Sequence, residues 1–312
     1  MSAAAGFPTN GGAELSGGRA TRLLAAVRPF EWSVRRELWE HRVIYLAPLG
    51  AGAVFLVGFL ISLITLPHRM RAALAMQREM EMRSAVSVSF DFASGLLMIT
   101  TLLVAAFYCL DALYGERRDR SLLFWKSMPV SDLTAVLAKA AVPIVILQLL
   151  AFGVTFLLHC IMLALSSVVL AANGMSVSAM WTEVSLGRLS LGLFYHLMVL
   201  HGLVFAPFYC WFLLVSSWAR RAPLLWAVLP PLAIGIAEKV AFGTSYFAHM
   251  MGGRFSGGDK GWSASANNLA MDPSMHMTTG SVLLEPGFWA GLLFAAGFLV
   301  LAARMRRFRE PG

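Results

Sequence analysis

LYGERRDRSLLFWKSMPVSDLTAVLAK, residues 113–139, lies between two long apolar runs and concentrates the charge found in the middle of the chain. Its first part is ionic: Glu116, Arg117, Arg118, Asp119 and Arg120 follow one another after Gly115, a residue that can break an outgoing helix. Leu122, Leu123, Phe124 and Trp125 then form an unbroken apolar block beside those charges. Pro129, Val130 and Ser131 or Asp132 read as a helix start, with one of the last two as N-cap ahead of an apolar run. An apolar block of this size set among charges calls for something to cover it.

The runs on either side set the class. The chain has 312 residues, of which 58% are hydrophobic and 13% charged, and its mean hydropathy is +0.69. Soluble domains carry about one-quarter charged residues, so a membrane-embedded chain is the expectation. A helical crossing takes ~20 apolar residues. Six stretches meet that requirement, at 43–66, 91–113, 141–170, 191–217, 223–241 and 287–304. The fold class is therefore all-α, a polytopic protein of six transmembrane helices within 43–304. The third stretch is long enough to project beyond a bilayer, and Pro230–Pro231 interrupts the fifth.

Charge orients the chain. With both termini cytoplasmic, the inside segments hold most of the 25 basic residues, including Arg35, Arg36, Arg42, Arg117, Arg118, Lys139, Arg220, Arg221, Arg306 and Arg307. The first outer loop, with Arg69, Arg71, Arg78 and Arg83, runs against the trend. The net charge of +8 thus points to anionic lipid rather than to nucleic acid. Residues 1–20 lack the apolar core of a secretion signal and are expected to be a disordered cytoplasmic tail, and residues 305–312 a cytoplasmic C-terminal tail. Residues 21–42 are expected to form an interfacial amphipathic helix. Phe30, Val34 and Leu38 would lie on its apolar face, flanked by Trp32 and Trp39, with Arg35, Arg36 and Arg42 towards headgroups. Residues 242–286, rich in Gly and Ser, read as a long outer loop.

The turn beginning Glu116–Arg117, the short apolar block and Pro129–Val130–Ser131 leading into the next span resemble the corresponding segment of type-2 ABC transporter permeases. The resemblance extends to the amphipathic entry helix and the six spans, and departs where Arg120 and Ser121 stand in place of a Gly-Thr pair. It implies that 114–139 is a coupling segment seated on a separate ATP-hydrolysing subunit. Leu122, Leu123, Phe124, Trp125 and Pro129 would be its buried contacts, and Glu116, Arg117, Arg118 and Asp119 its polar rim. It further implies a dimer of ATPase subunits carrying ATP and Mg, a second permease copy, identical or paralogous, and a bacterial cytoplasmic (inner) membrane location. Export would be the direction, with a hydrophobic, lipid-like or peptide cargo suited to apolar spans.

Other motifs are weaker. No GxxxxGK[ST], HExxH or GxSxG occurs, so this chain offers no P-loop, zinc-protease or serine-hydrolase signature, and no catalytic, cofactor or metal residue is assigned. Cys109, Cys160 and Cys210 are isolated in apolar runs and read as core residues. Among intramembrane polar residues, His159, His196 and His201 read as packing or hydrogen-bonded groups, and α-helical spacing does not put His196 and His201 on one face. Glu238 and Lys239, ending the fifth stretch, are expected to reach the outer surface. Met70, Met76, Met80, Met82, Met175, Met180, Met250, Met251, Met271, Met275 and Met277, with His249 and His276, fall in segments read as outer and offer soft ligands for Cu(I), but adaptable packing is the plainer reading. Two other classes remain: a polytopic membrane enzyme using intramembrane His or acidic groups, and a non-transporting sensory or structural subunit.

Overall fold

The computed structural model describes residues 28–75, 79–119, 130–178, 181, 186–255 and 283–308. Among these residues the regular structure is helical and no strand occurs. Six helical stretches are long and apolar enough to cross a membrane, and we call them spans one to six. They are Val43–Leu63, Val88–Arg118, Asp132–Ala172, Leu186–Val204, Pro223–Phe242 and Pro286–Phe308. Span two is the apolar part of a helix that starts at Glu79, and span four continues past Phe205 into the helix Ala206–Trp218. A helix suits each apolar run because it pairs the backbone groups of its own segment internally, leaving none to be met by water.

The run beginning at Asp132 is helical for 41 residues, roughly 60 Å at 1.5 Å per residue. That is about twice the ~30 Å of a hydrocarbon core, so the helix is longer than a single crossing requires. Span five stays helical through Pro230 and Pro231. A proline at 231 cannot donate to the Ala227 carbonyl four residues earlier, and Trp211 repairs the loss: its indole N–H donates to Ala227 O at 3.0 Å. Ala227 is also the one buried residue of this span; the large side chains around it, among them Leu225, Leu229, Leu232 and Ile236, are exposed.

Among the described residues the side-chain packing has two large storeys and four smaller clusters. One is built by Phe59, Leu63, Leu66, Met70, Phe90, Leu97, Leu158, Met162 and Leu170. The other is built by Ile44, Val104, Tyr108, Ala140, Leu147, Phe205, Tyr209 and Leu213. A small cluster of Met98, Ala151, Leu193 and Leu197 lies apart from both. At the far end, Glu238 accepts from the backbone N–H of Tyr246 at 2.7 Å and of Phe247 at 2.8 Å. Its carboxylate thus caps the helix Tyr246–Phe255, with Gly243 taking the positive φ of 67° that lets the chain turn back.

Candidate functional site

At the other end of the bundle four segments converge on a cluster of buried charge. The helix over 28–40 presents Phe30, Val34, Glu37 and His41 along one side, because positions three and four apart share a face. Glu37 points inward and is 1% exposed. It meets Lys139 of span three, itself 1% exposed, with Nζ 2.8 Å from Glu37 Oε1. The same ammonium lies 3.2 Å from Glu116 Oε1. Arg36 Nη2 bridges both carboxylates at 2.7 Å each. Tyr108 donates its hydroxyl to Glu37 Oε2 at 2.9 Å. From span six, Arg306 reaches Glu116 Oε2 at 3.3 Å and Asp132 Oδ1 at 3.6 Å. His41 packs edge-on against Tyr108 at 5.0 Å between ring centroids.

Opposed charges make this burial possible. An isolated carboxylate in such surroundings would take up a proton. Burial does push the Glu37 pKa up, but Lys139 and Arg36 beside it, with hydrogen bonds from Lys139 and Tyr108, bring it below the usual carboxylate range. Glu37 is therefore held as an anion that ties the helix over 28–40 to span three.

The ionic turn is fastened a second way. The helix from Glu79 ends at Ala112, a short helix Tyr114–Arg118 follows, and the break falls at Leu113 rather than at Gly115. Breaking a helix exposes amide groups, and Ser216 supplies the acceptor: its hydroxyl receives Leu113 N–H at 3.0 Å and Tyr114 N–H at 2.8 Å. In return, Arg117 donates to the carbonyls of Ser216 at 2.6 Å and Ala219 at 2.8 Å, the terminal acceptors of the helix Ala206–Trp218. Two helix ends thus cap each other. Beyond the turn, Ser131 is the N-cap of the helix that begins at Asp132, accepting from Thr134 N–H at 3.1 Å.

The site residues expected from the sequence separate into three groups. Glu116 and Arg117 lie inside the chain's own packing, on the cations and carbonyls just described. Arg118 and Asp119 are exposed and paired with each other at 3.0 Å, Arg118 also lying over the Tyr114 ring at 5.8 Å. Leu122, Leu123, Phe124, Trp125 and Pro129 lie outside the described residues. The sequence reading passed over Glu37, Tyr108, Lys139, Ser216 and Arg306 as site residues. A signal for two of them existed: Glu37 interrupts the apolar face of Phe30 and Val34, and Lys139 stands inside the apolar run AVLAKAA.

The histidines of span four also differ from expectation. Residues His196–Val204 are wound as a π-helix, in which each turn takes more than four residues. That wider turn aligns positions five apart, and the His196 and His201 rings lie 5.8 Å apart. His159 is buried in the other storey, 3.2 Å from the Ser94 hydroxyl and from the Phe90 carbonyl. Among the described residues no group of three His, Cys, Asp or Glu is placed to hold a metal ion.

Comparison of the chain with protein-family models, with curated proteins and with solved structures returns no match.

Proposed function

We propose that this chain is the membrane-spanning permease subunit of an ATP-driven exporter of the type-2 ABC class. It works with a separate ATPase dimer that carries ATP and Mg and with a second permease copy, in a bacterial inner membrane with both termini cytoplasmic. The observation that carries the reading is the way the turn at 114–118 is anchored. Glu116 is gripped by cations from the helix over 28–40, from span three and from span six, while Arg117 grips the end of the helix that follows span four. A turn held only by solvent would absorb a push; a turn clamped through buried ion pairs passes it to four helices. The residues that meet the ATPase are, on this reading, Leu122, Leu123, Phe124, Trp125 and Pro129, with Arg118 and Asp119 at the rim. Glu116 and Arg117 act from behind as the mounting. The broad apolar exposure of the spans suits a hydrophobic, lipid-like or peptide cargo.

The test is purification of tagged chain from its native membrane. An ATP-hydrolysing subunit should accompany the unaltered protein and be lost from Phe124→Ala and Trp125→Ala. If no such subunit accompanies the protein, or if it stays bound to both variants, the reading falls.

A further inference from the structure

Two spans leave the α-helical pattern, and in span three the departure lies within the second storey, where Val142, Ile144, Ile146 and Leu147 pack. Span three contains a π turn at Val142–Ile146, and span four contains the longer π segment at His196–Val204. The two touch through their backbones: a Cβ placed on Gly202 would lie 2.7 Å from the Ile144 carbonyl oxygen and 3.8 Å from Gln148 Cγ. Gln148, fully buried, donates its side-chain N–H to Pro143 O at 2.9 Å, serving a carbonyl of the first π turn. Isolated single π turns are rare, and a facing pair in backbone contact is a stronger feature than either alone.

Their position connects them to the charged end. Helix 28–40 joins span one through the non-helical residues His41–Arg42, and the turn 114–118 joins span two through the break at Leu113. Helix Asp132–Ala141 joins the remainder of span three through one π turn, and Ala206–Trp218 joins span four through the other. These four charged-end pieces are bound together by Glu37, Glu116, Lys139 and Arg117. These four main-chain connections pass through a departure from α-helix, whereas the uninterrupted helices of spans two and six hold the block through the side chains of Tyr108 and Arg306.

We propose that the facing π segments are a hinge. The charged-end block moves as one piece against the opposite storey, and the π turn migrates along spans three and four as it does so. Shifting a π turn exchanges i to i+5 bonds for i to i+4 bonds, so backbone pairing is kept while the helix beyond it rotates. Gly202 leaves the two backbones room to slide, and Gln148 holds the resting register. The inference concerns the chain alone and does not require the ATPase.

The experiment uses the full chain in nanodiscs, with Cys109, Cys160 and Cys210 replaced by Ala and paired nitroxides read by electron double resonance. Leu137 and Phe156 straddle the first π turn, whereas Val88 and Phe107 lie the same number of positions apart on uninterrupted helix; all four are exposed. Both pairs should centre near roughly 28 Å at 1.5 Å per residue. The Leu137–Phe156 distribution should be about twice as broad as the Val88–Phe107 one, and deletion of Val145 should narrow it to the control width. Equal widths in the unaltered chain overturn the hinge, as does a width that the deletion leaves unchanged. Should the deletion variant not fold, Gly202→Ala, which drives a methyl into the Ile144 carbonyl, should shift the mean distance, whereas Gly192→Ala, in open space, should not; equal behaviour of the two overturns the proposal. A narrow distribution leaves ATPase docking untouched, and a failed copurification leaves the hinge untouched.

Discussion

Replacing Lys139 by methionine isolates what the buried charge cluster contributes. The substitution conserves chain length and removes the cation from between Glu37 Oε1 and Glu116 Oε1, at 2.8 and 3.2 Å. Truncating one member of a buried ion pair costs about 3–5 kcal/mol, because the partner's charge stays buried. Glu116 keeps Arg36 and Arg306, and Glu37 keeps Arg36 and the Tyr108 hydroxyl, so the expected loss is at the low end, about 3 kcal/mol. In a thermal scan in detergent this corresponds, for a chain of 312 residues, to a fall of roughly 4–6 °C in Tm. Adding Glu37→Gln removes the under-compensated anion and should restore half or more of that loss, whereas Glu37→Gln alone should destabilise by leaving Lys139 and Arg36 to share Glu116. The pair therefore couples strongly in a double-mutant cycle. A Lys139→Met Tm within experimental error of the parent, or a double variant showing the plain sum of the single losses, would refute the assignment of this cluster as a structural clamp.

Two further outcomes follow from groups outside the hinge. Glu37 titrates below the usual carboxylate range in the folded protein. Its contribution is fully present above that range and disappears as pH falls through the lowered folded value. Tm should hang level from neutral pH down to about pH 5 and drop below it, with a shallower drop in Glu37→Gln; equal slopes in the two would show that other carboxylates dominate. Trp211→Phe should strand the Ala227 carbonyl opposite Pro231 and cost about 1–3 kcal/mol, read as a lower Tm, whereas Trp226→Phe on the exposed side of span five should change little.

The six spans were legible because apolar runs of this length have few alternatives as structures: spans one, five and six match the stretches read from the sequence within four residues, whereas span three starts at Asp132 rather than at 141 and span two ends at Arg118 rather than at 113. Ser131 as an N-cap was equally open, since its acceptor serves an amide only three positions away. The cluster was less open because it is assembled from segments far apart. Nothing near Glu37 indicates that its counter-ion is Lys139, and in a segment with Arg35, Arg36 and Arg42 one more charge passes for a solvated residue. The expectation about His196 and His201 rested on 3.6 residues per turn, an assumption that holds everywhere in span four except where those residues stand. Local periodicity carries the elements; it cannot carry a change of period or a partner a hundred residues away.

The enclosed cations have a consequence for biogenesis. During synthesis, Lys139, Arg117 and Arg306 are bare charges on an unassembled polypeptide, kept in water by their hydration until the acceptors that match them arrive. Once the bundle closes, Lys139 and Arg306 are almost wholly withdrawn from solvent and matched to carboxylates. The charge that the nascent chain carries is therefore not the charge that the folded surface displays. A variant neutral at both members of a pair keeps the folded surface nearly unchanged while making the unassembled chain less soluble in water.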